Sequence, residues 1–216
     1  VAGEVTLDVL RDAMQRRMPQ HDRAGEAHFN LLSAYHKSLR GSDPQGALYW
    51  MARMIEAGED PLVLCRRAIA MAAEDIGLAD PEALKLAVAA REAVHLLGVP
   101  EGLLPLAEMT IYLATAPKSN TTMAGLARAF GDVRRREAGA VPGPLRSVHP
   151  YQRNKLHEGG GYRHPHNAPS GFVAQEARPP ERAGERGTAN RRVYYRPSAH
   201  GAAAAIARRL REWWGD

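Results

Sequence analysis

Three aspartate–proline pairs constrain the fold of this chain more than any other feature of its sequence. Asp43–Pro44, Asp60–Pro61 and Asp80–Pro81 each stand at the start of an apolar segment with helical periodicity. An aspartate in that position accepts hydrogen bonds from backbone N–H groups that have no partner inside the helix. A proline at the first helical position loses nothing, because its missing N–H would have had no partner there. We therefore expect a helix to begin at each pair.

The three expected helices end near Gly58, Gly77 and Gly98, and the third is apolar nearly all round. A helix of that kind is expected either at the centre of a bundle or under another subunit. Apolar stripes and stop signals predict further helices at about 6–18, 25–40, 101–115, 119–139 and 198–214. Abundant alanine and few aromatic residues agree with an all-α helical bundle.

The segment 140–197 interrupts the helical pattern. It contains eight prolines and a glycine triplet at 159–161. Proline removes the backbone donor that a helix interior needs, so this segment is expected to be an irregular arm. Two short strands, 171–175 and 192–195, are expected within it as a β-hairpin near the C-terminus.

The net charge of +5 is distributed unevenly along the chain. Residues 1–133 contain 13 basic and 17 acidic side chains, whereas residues 134–216 contain 16 basic and 7 acidic side chains. A basic C-terminal third is typical of a protein that binds a polyanion such as nucleic acid, and a solvated arginine-rich surface is the alternative. The candidate DNA contacts are Arg134, Arg135, Arg136, Arg153, Lys155, Arg163, Arg191 and Arg192.

The sequence contains no phosphate loop, so no catalytic residue is expected in this chain. His157, His164 and His166 raise the possibility of a zinc site, and with it the hypothesis of a metal-dependent hydrolase. Zinc sites of the structural kind usually include cysteine, and two of these histidines flank a proline in a loop. We expect surface histidines here, with no metal and no cofactor bound by this chain.

Lys118, Ser119 and Asn120 follow a helix stop and open the next helix. Free N–H groups at that position could hold an anion such as phosphate, and a capped corner between two helices is the alternative. The single cysteine, Cys65, lies on an apolar stripe and is expected in the core. A lone cysteine forms no intrachain disulfide, which favours a reducing, cytoplasmic location. No membrane span is expected, because charges interrupt the apolar runs.

Four segments of the chain resemble one known protein family. They are Asn30–Trp50, Ala73–Pro81, Tyr112–Asn120 and Gly171–Glu176. All four are similar to segments of the replication-associated recombination protein A family, also called MgsA, which is related to the Werner-helicase-interacting ATPases of eukaryotes. The resemblance extends over nearly the whole chain. Since the sequence begins at Val1, we expect it to be part of a longer protein.

The resemblance implies a parent protein whose N-terminal AAA+ module binds ATP and magnesium. Residues 1–22 then form the end of the AAA+ lid, and residues 23–216 form a helical C-terminal domain. Within that domain we expect a helical core at 23–139, the irregular arm at 140–197 and a C-terminal helix at 198–216. The family's domain resembles the helical collar of clamp-loader subunits and assembles homotetramers.

The function that the resemblance implies is that of a non-catalytic homotetramerisation module. Its parent is a DNA-dependent ATPase that acts at stalled replication forks, with forked or single-stranded DNA and single-strand-binding protein as partners, in the nucleoid-associated cytoplasm. The alternative is a nucleic-acid-binding module that uses the basic C-terminal third.

Overall fold

The computed structural model describes residues 24–135, 139–146, 161–179 and 192–215, and within these ranges the fold is all-α. Its helices are α1 (Ala24–Arg40), α2 (Pro44–Glu56), α3 (Pro61–Met71), α4 (Glu82–Leu97), α5 (Leu103–Thr115), α6 (Thr121–Arg135) and α7 (Ala203–Trp214). A π-helix at Ala72–Ile76 and a 3-10 turn at Gly77–Ala79 continue α3, and shorter 3-10 turns occupy Gly143–Leu145 and Pro165–Asn167. The helix expected at 6–18 lies outside the described residues.

The first two aspartate–proline pairs begin helices with an aspartate cap as predicted, whereas the helix at the third pair, α4, begins at Glu82, one residue after Pro81. Asp43 Oδ1 accepts from the backbone N–H of Gly46 at 2.9 Å. Asp60 accepts in the same way from Leu62 at 2.9 Å, and Asp80 accepts from Glu82 at 3.1 Å. Local sequence therefore defines where α2, α3 and α4 start.

The chain divides into two compact units, residues 1–118 and 119–216. In the first unit α1 packs on α2, α3 on α4, and α5 on both α2 and α4. Its core is built mainly from side chains that are fully buried, among them Tyr35, Leu39, Met54, Leu64, Cys65, Met71, Ile76, Leu106, Met109 and Leu113.

Buried polar groups in this core are paired. The hydroxyl groups of Tyr35 and Thr110 lie 2.9 Å apart, and Thr110 also donates to the carbonyl of Leu106 at 2.8 Å. Burial raises the pKa of the Cys65 thiol to about 11, so it stays protonated at neutral pH. Cys65 is fully buried, which confirms its prediction as a core residue.

The expected β-hairpin is wrong, because the described residues 171–175 and 192–195 contain no strand. Arginine side chains, rather than a neighbouring strand, donate to the carbonyls of these segments. Arg163 donates to Ala174 O at 2.8 Å, Arg178 donates to Arg192 O, and Arg128 donates to Tyr194 O at 2.5 Å. Each such contact takes up a carbonyl acceptor that a β-ladder would otherwise use.

Helix α7 begins at Ala203, five residues later than the predicted start at Ser198. Within α7, Ala203 is the buried residue. Trp213 stacks on Phe172 with ring centroids 5.1 Å apart, and Trp214 meets the same ring edge-on at 5.4 Å. The second unit thus packs its C-terminal helix on the irregular arm through aromatic rings. None of the described helices has the length and apolar character that crossing a membrane requires.

Candidate functional site

Helix α6 carries two different kinds of side chain on opposite faces. One face is an apolar row, defined here as Met123, Leu126, Phe130 and Val133. These side chains are 44%, 59%, 51% and 65% exposed, respectively. Their spacing of three, four and three residues is that of the seam between two packed helices. The row is an apolar face of which about half remains exposed in the described part of the chain.

The opposite face of α6 holds Gly125, Arg128, Asp132 and Arg135, and the segment 192–196 lies against it. A Cβ atom added to Gly125 would lie 3.3 Å from the carbonyl oxygen of Tyr194. Glycine therefore permits the close approach of this segment to the helix. Without it, the two walls of the groove described next would be further apart.

Hydrogen bonds fasten the segment to α6. Arg128 donates to the carbonyl of Tyr194 at 2.5 Å, and the Tyr194 hydroxyl donates to Asp132 Oδ2 at 2.7 Å. Asp132 is buried, at 9% exposure, so its carboxylate needs donors of this kind. Tyr194 thus anchors the segment twice, through its backbone carbonyl and through its phenol hydroxyl.

Between the helix and the segment lies a groove of about 300 Å³, here called the arginine groove. Its lining residues are Arg128, Asp132, Arg135, Arg192, Val193, Tyr194 and Arg196. Among these described lining residues, four guanidinium groups and one carboxylate leave an excess of three positive charges. Since arginine does not lose its proton in proteins, this excess is permanent.

The arginine groove brings together two of the eight residues predicted to contact DNA. Arg135 and Arg192 line it. Arg134 instead lies over the ring of Phe130, with its guanidinium carbon 5.3 Å from the ring centroid, and Arg163 donates to Ala174 O. The other four, Arg136, Arg153, Lys155 and Arg191, lie outside the described residues. DNA contact by any of these side chains stays a prediction.

Sequence reasoning missed Arg128 and Arg196, which also line the groove. Arg128 lies seven residues before Arg135, which places both on one face of a helix. That spacing indicates from sequence that Arg128 and Arg135 belong to one basic face. Arg196 carried no such signal, because it belongs to an irregular segment with no fixed period.

The residues of the predicted anion site have other polar partners. Lys118 Nζ donates to the carbonyls of Leu113, Ala114 and Ala116 at 2.9, 3.0 and 2.7 Å, so it caps the C-terminal end of α5. Burial lowers the pKa of the Lys118 ammonium, and the nearby charge of Asp75 opposes that effect. Ser119 Oγ lies 2.9 Å from Thr121 Oγ1 at the start of α6. Anion binding here, including at Asn120, stays a prediction.

A buried polar cluster ties α1 to the end of α3. Its members are His36 and Arg40 on α1, Arg67 on α3 and Asp75 in the π-helix. His36 Nε2 lies 2.9 Å from Asp75 Oδ2, Arg40 Nε donates to Asp75 Oδ1 at 2.8 Å, and Arg67 contacts His36 Nδ1. Arg40 Nη2 also lies 3.2 Å from His36 Nε2, so the imidazole of His36 contacts two guanidinium groups and one carboxylate.

The carboxylate of Asp75 is stabilised in its charged form. Burial by itself raises the pKa of Asp75, but hydrogen bonds from Arg40 and His36 outweigh burial and hold that pKa below its ordinary value. Asp75 does not face Glu74 as a partner for acid–base chemistry, since its two oxygens are taken up by Arg40 and His36. The cluster therefore fixes the arrangement of helices.

Among the described residues, His36, Glu74 and Asp75 are the group whose donor atoms lie close enough to hold a metal ion, within 4.8 Å of one another. Both nitrogens of His36 already have partners, and two guanidinium groups beside the cluster oppose a further cation. Of the predicted surface histidines, His164 meets the ring of Tyr162 edge-on at 4.9 Å and His166 is exposed. His157 lies outside the described residues.

Comparison with known proteins identifies two family matches. Residues 41–214 match the family described as MgsA AAA+ ATPase C terminal, and residues 2–40 match the family described as AAA C-terminal domain. The two matches meet at residue 40. The predicted boundary between lid and C-terminal domain at residues 22 and 23 stays a prediction.

Several relatives share more than a third of their aligned residues with this chain. An uncharacterised AAA domain-containing protein of Mycobacterium tuberculosis is 43% identical over 210 residues, which are 97% of this chain and 45% of the relative. Replication-associated recombination protein A of Escherichia coli is 38% identical over 204 residues, 94% of this chain and 44% of that protein. ATPase WRNIP1 of Dictyostelium discoideum is 42% identical over 144 residues, 67% of this chain and 16% of that protein.

This chain spans less than half of the length of these relatives. The all-α architecture and the match over residues 41–214 agree with the resemblance carried by the four sequence segments. The chain therefore belongs to the MgsA AAA+ ATPase C-terminal family, and the ATPase module of that family is not in it.

Proposed function

We propose that this chain is a non-catalytic homotetramerisation module of a DNA-dependent AAA+ ATPase that maintains replication forks. The observation that carries the proposal is the exposed apolar row on α6. Contiguous apolar surface of this kind marks a site of association in soluble proteins. A second copy of the chain is the occupant to which the proposal commits, because a row with heptad spacing is complementary to itself.

The residues that flank the row support close packing of two α6 helices. Ala127 and Ala129 occupy the positions beside the seam, where small side chains let a second helix approach. The arginine groove lies on the other face of the helix. Pairing through the row therefore leaves the excess positive charge of the groove away from the seam.

The first unit also retains apolar surface. Helix α4 buries Ala83, Ala87, Ala90 and Val94, but Leu84 and Val88 on its surface remain 41% and 44% exposed. The helix predicted to be apolar nearly all round is thus not fully covered by its neighbours in the described fold. This uncovered surface provides the additional contact area that four copies need beyond a single helix pair.

Self-association would raise the local concentration of ATPase modules tethered to the assembly. Contacts with DNA that are weak for one module then gain in overall affinity when several act together. Forked or single-stranded DNA and single-strand-binding protein are the partners we propose for the whole protein. ATP and magnesium belong to the ATPase module, and we propose the nucleoid-associated cytoplasm as its location.

Light scattering on the 216-residue chain tests the proposed assembly. We expect the wild-type chain at micromolar concentration to have four times its monomer mass of 23.6 kDa. Phe130→Glu places a charge in the apolar row and is expected to lower that mass. Phe29→Glu is the matched control, since Phe29 is 70% exposed on α1 and lies outside the row. A monomeric wild-type chain, or a Phe130→Glu variant that stays tetrameric, would contradict the proposal.

Nucleic-acid binding through the basic C-terminal third is a second candidate function. The specific observation in its favour is the arginine groove, where two of the predicted contacts meet two further arginines. The two functions are compatible, because they use opposite faces of α6. Titration of the chain with labelled fork DNA at low salt tests the second function directly, and no measurable binding there would remove it.

A further inference from the structure

The arginine groove gathers more positive than negative side chains among the described residues. Arg128, Arg135, Arg192 and Arg196 line the groove, and within the described ranges Asp132 is the carboxylate beside them. Like charges at short range repel one another, and an anion within the groove would relieve that repulsion. Asp132 is already engaged by the Tyr194 hydroxyl. The composition of the groove therefore calls for a negatively charged ligand.

Two of the four arginines are held in position by backbone carbonyls. Arg128 donates through one terminal nitrogen to Tyr194 O at 2.5 Å, and Arg135 donates through Nε to Gly131 O at 2.8 Å. Each guanidinium group has five N–H donors, so each retains donors for a ligand. Arginines fixed in this way lose less conformational entropy when a ligand binds.

The other two arginines are unpaired within the described residues. The guanidinium groups of Arg192 and Arg196 make no hydrogen bond and no ion pair with the part of the chain that the structure describes, and both side chains are exposed. They can be removed without loss of a contact that supports the fold. They are also the groove residues whose donors are most fully available.

The geometry of arginine and the charge of the surroundings specify the kind of anion. The planar fork of arginine matches the oxygens of a phosphate group, with two parallel hydrogen bonds. Residues 134–216 carry 16 basic and 7 acidic side chains, an excess spread far beyond one groove. Such an extended excess attracts a polyanion more strongly than it attracts a single small ion.

We propose that the arginine groove binds backbone phosphate groups of a nucleic-acid strand, with Arg192 and Arg196 as direct phosphate contacts. This inference rests on the second proposed function and assigns it a site. The contacts are to phosphate rather than to base edges, so the groove is expected to bind without sequence preference. Single-stranded and duplex DNA present the same phosphodiester chemistry, and the experiment separates them.

Fluorescence anisotropy with labelled single-stranded and duplex DNA, measured over a series of salt concentrations, tests the site. The variant is Arg192→Ala with Arg196→Ala, and the matched control is Arg208→Ala with Arg211→Ala. The control removes the same two charges from exposed positions on α7. Lost phosphate contacts lower affinity and also lower the steepness of its dependence on salt, whereas a general loss of charge affects both doubles equally.

We expect the groove variant to weaken binding by about tenfold or more at low salt, from the loss of two charge-assisted hydrogen-bond sites. The slope of log affinity against log salt should fall by about 1.4 if the ligand is single-stranded and by about 1.8 if it is duplex. The control double should leave the slope unchanged. Whichever DNA form shows the reduced slope is the form that the groove holds.

Two results would contradict the arginine groove as the phosphate site, and they have different consequences for the second proposed function. If the wild-type chain binds DNA and both doubles weaken it equally, the groove is not the site but the second proposed function stands. If the wild-type chain binds neither DNA form at low salt, both the site and that function fail. Light scattering on the groove variant should still report the wild-type mass, so self-association is tested independently.

Discussion

His36 and Asp75 show how single side chains determine the packing of this fold. His36 Nε2 lies 2.9 Å from Asp75 Oδ2, and Arg67 contacts the other ring nitrogen of His36. Arg40 donates to the other carboxylate oxygen at 2.8 Å. One buried carboxylate therefore links two helical elements through two partners, His36 and Arg40, and its charged form is part of the folded state.

Replacing this carboxylate is expected to change how stability depends on pH. The pKa of Asp75 is lowered in the folded chain, because the hydrogen bonds from Arg40 and His36 outweigh burial. Its contribution is thus fully present above the ordinary aspartate pKa of about 3.9, and it is lost as the pH falls through the lower folded value. Asp75→Asn should lower the free energy of unfolding at pH 7 by about 1–3 kcal/mol, as for hydrogen bonds to charged groups.

Urea denaturation between pH 3 and pH 7 measures this effect. The difference in the free energy of unfolding between wild type and Asp75→Asn should become smaller below about pH 4, where the wild type loses the charge of Asp75. Asp43→Asn is the control, since Asp43 is an exposed helix cap and asparagine caps helices nearly as well. If the difference in the free energy of unfolding is the same at every pH, Asp75 stabilises the fold through its packing and not through its charge.

The residues that sequence could identify are those whose partners are close along the chain. Asp43, Asp60 and Asp80 cap helices through bonds to residues two or three positions away, so their roles follow from local pattern. Local pattern gives no sign of the partner of His36, a carboxylate 39 residues away. The π-helix that contains Asp75 alters the angular spacing of its side chains, and periodicity at 3.6 residues does not anticipate that change.

Helix α6 also has features that depend on nearby residues and features that depend on residues distant along the chain. The sequence predicts a helix at 119–139, and α6 covers Thr121–Arg135 of that range, with the basic Arg134 and Arg135 in its last turn. Its two-sided character depends on the segment 192–196, which lies against one face and leaves the other open. Arginine side chains bind the carbonyls of that segment, and sequence reasoning expected a strand there instead.

A larger side chain at Gly125 is expected to separate the segment from α6. A Cβ atom alone would lie 3.3 Å from Tyr194 O, and the branched side chain of valine needs more room. Gly125→Val should therefore lower the melting temperature by several degrees, as a destabilisation of about 1–2 kcal/mol does in a domain of this size. Thermal denaturation followed by circular dichroism is the measurement.

Gly131→Val is the matched control on the same helix. A Cβ there would lie 3.0 Å from a terminal nitrogen of Arg135, so valine displaces one exposed side chain and its bond to Gly131 O, and not a backbone segment. Valine also has the same helix propensity at both positions, so the clash with the segment is the main remaining difference. Equal melting temperatures for the two variants would show that the segment is not held against Gly125.

At the scale of the whole molecule, the proposed assembly and the proposed DNA binding use opposite faces of α6. A variant that separates the two proposals is Phe130→Glu, which alters the apolar row and leaves the arginine groove unchanged. We expect this variant to bind a short oligonucleotide, sufficient for one groove, with wild-type affinity. On a long single strand it should bind more weakly, because only an assembly holds one strand at several grooves.

Titration of both variants and both DNA lengths by anisotropy measures this difference. Phe29→Glu should match the wild type on either length. Weakened binding of the short oligonucleotide by Phe130→Glu would mean that the apolar row and the groove are not independent.

The opposite placement of the apolar row and the arginine groove on α6 has a kinetic consequence. When two copies join through the row, each groove remains open to solvent on the outer side of its helix. In the proposed assembly, a strand released from one groove would still be bound by the next, and it would rebind before it diffuses away. Dissociation of the strand would then require every groove to release it within the same short interval. The residence time of the strand would therefore lengthen with each copy added.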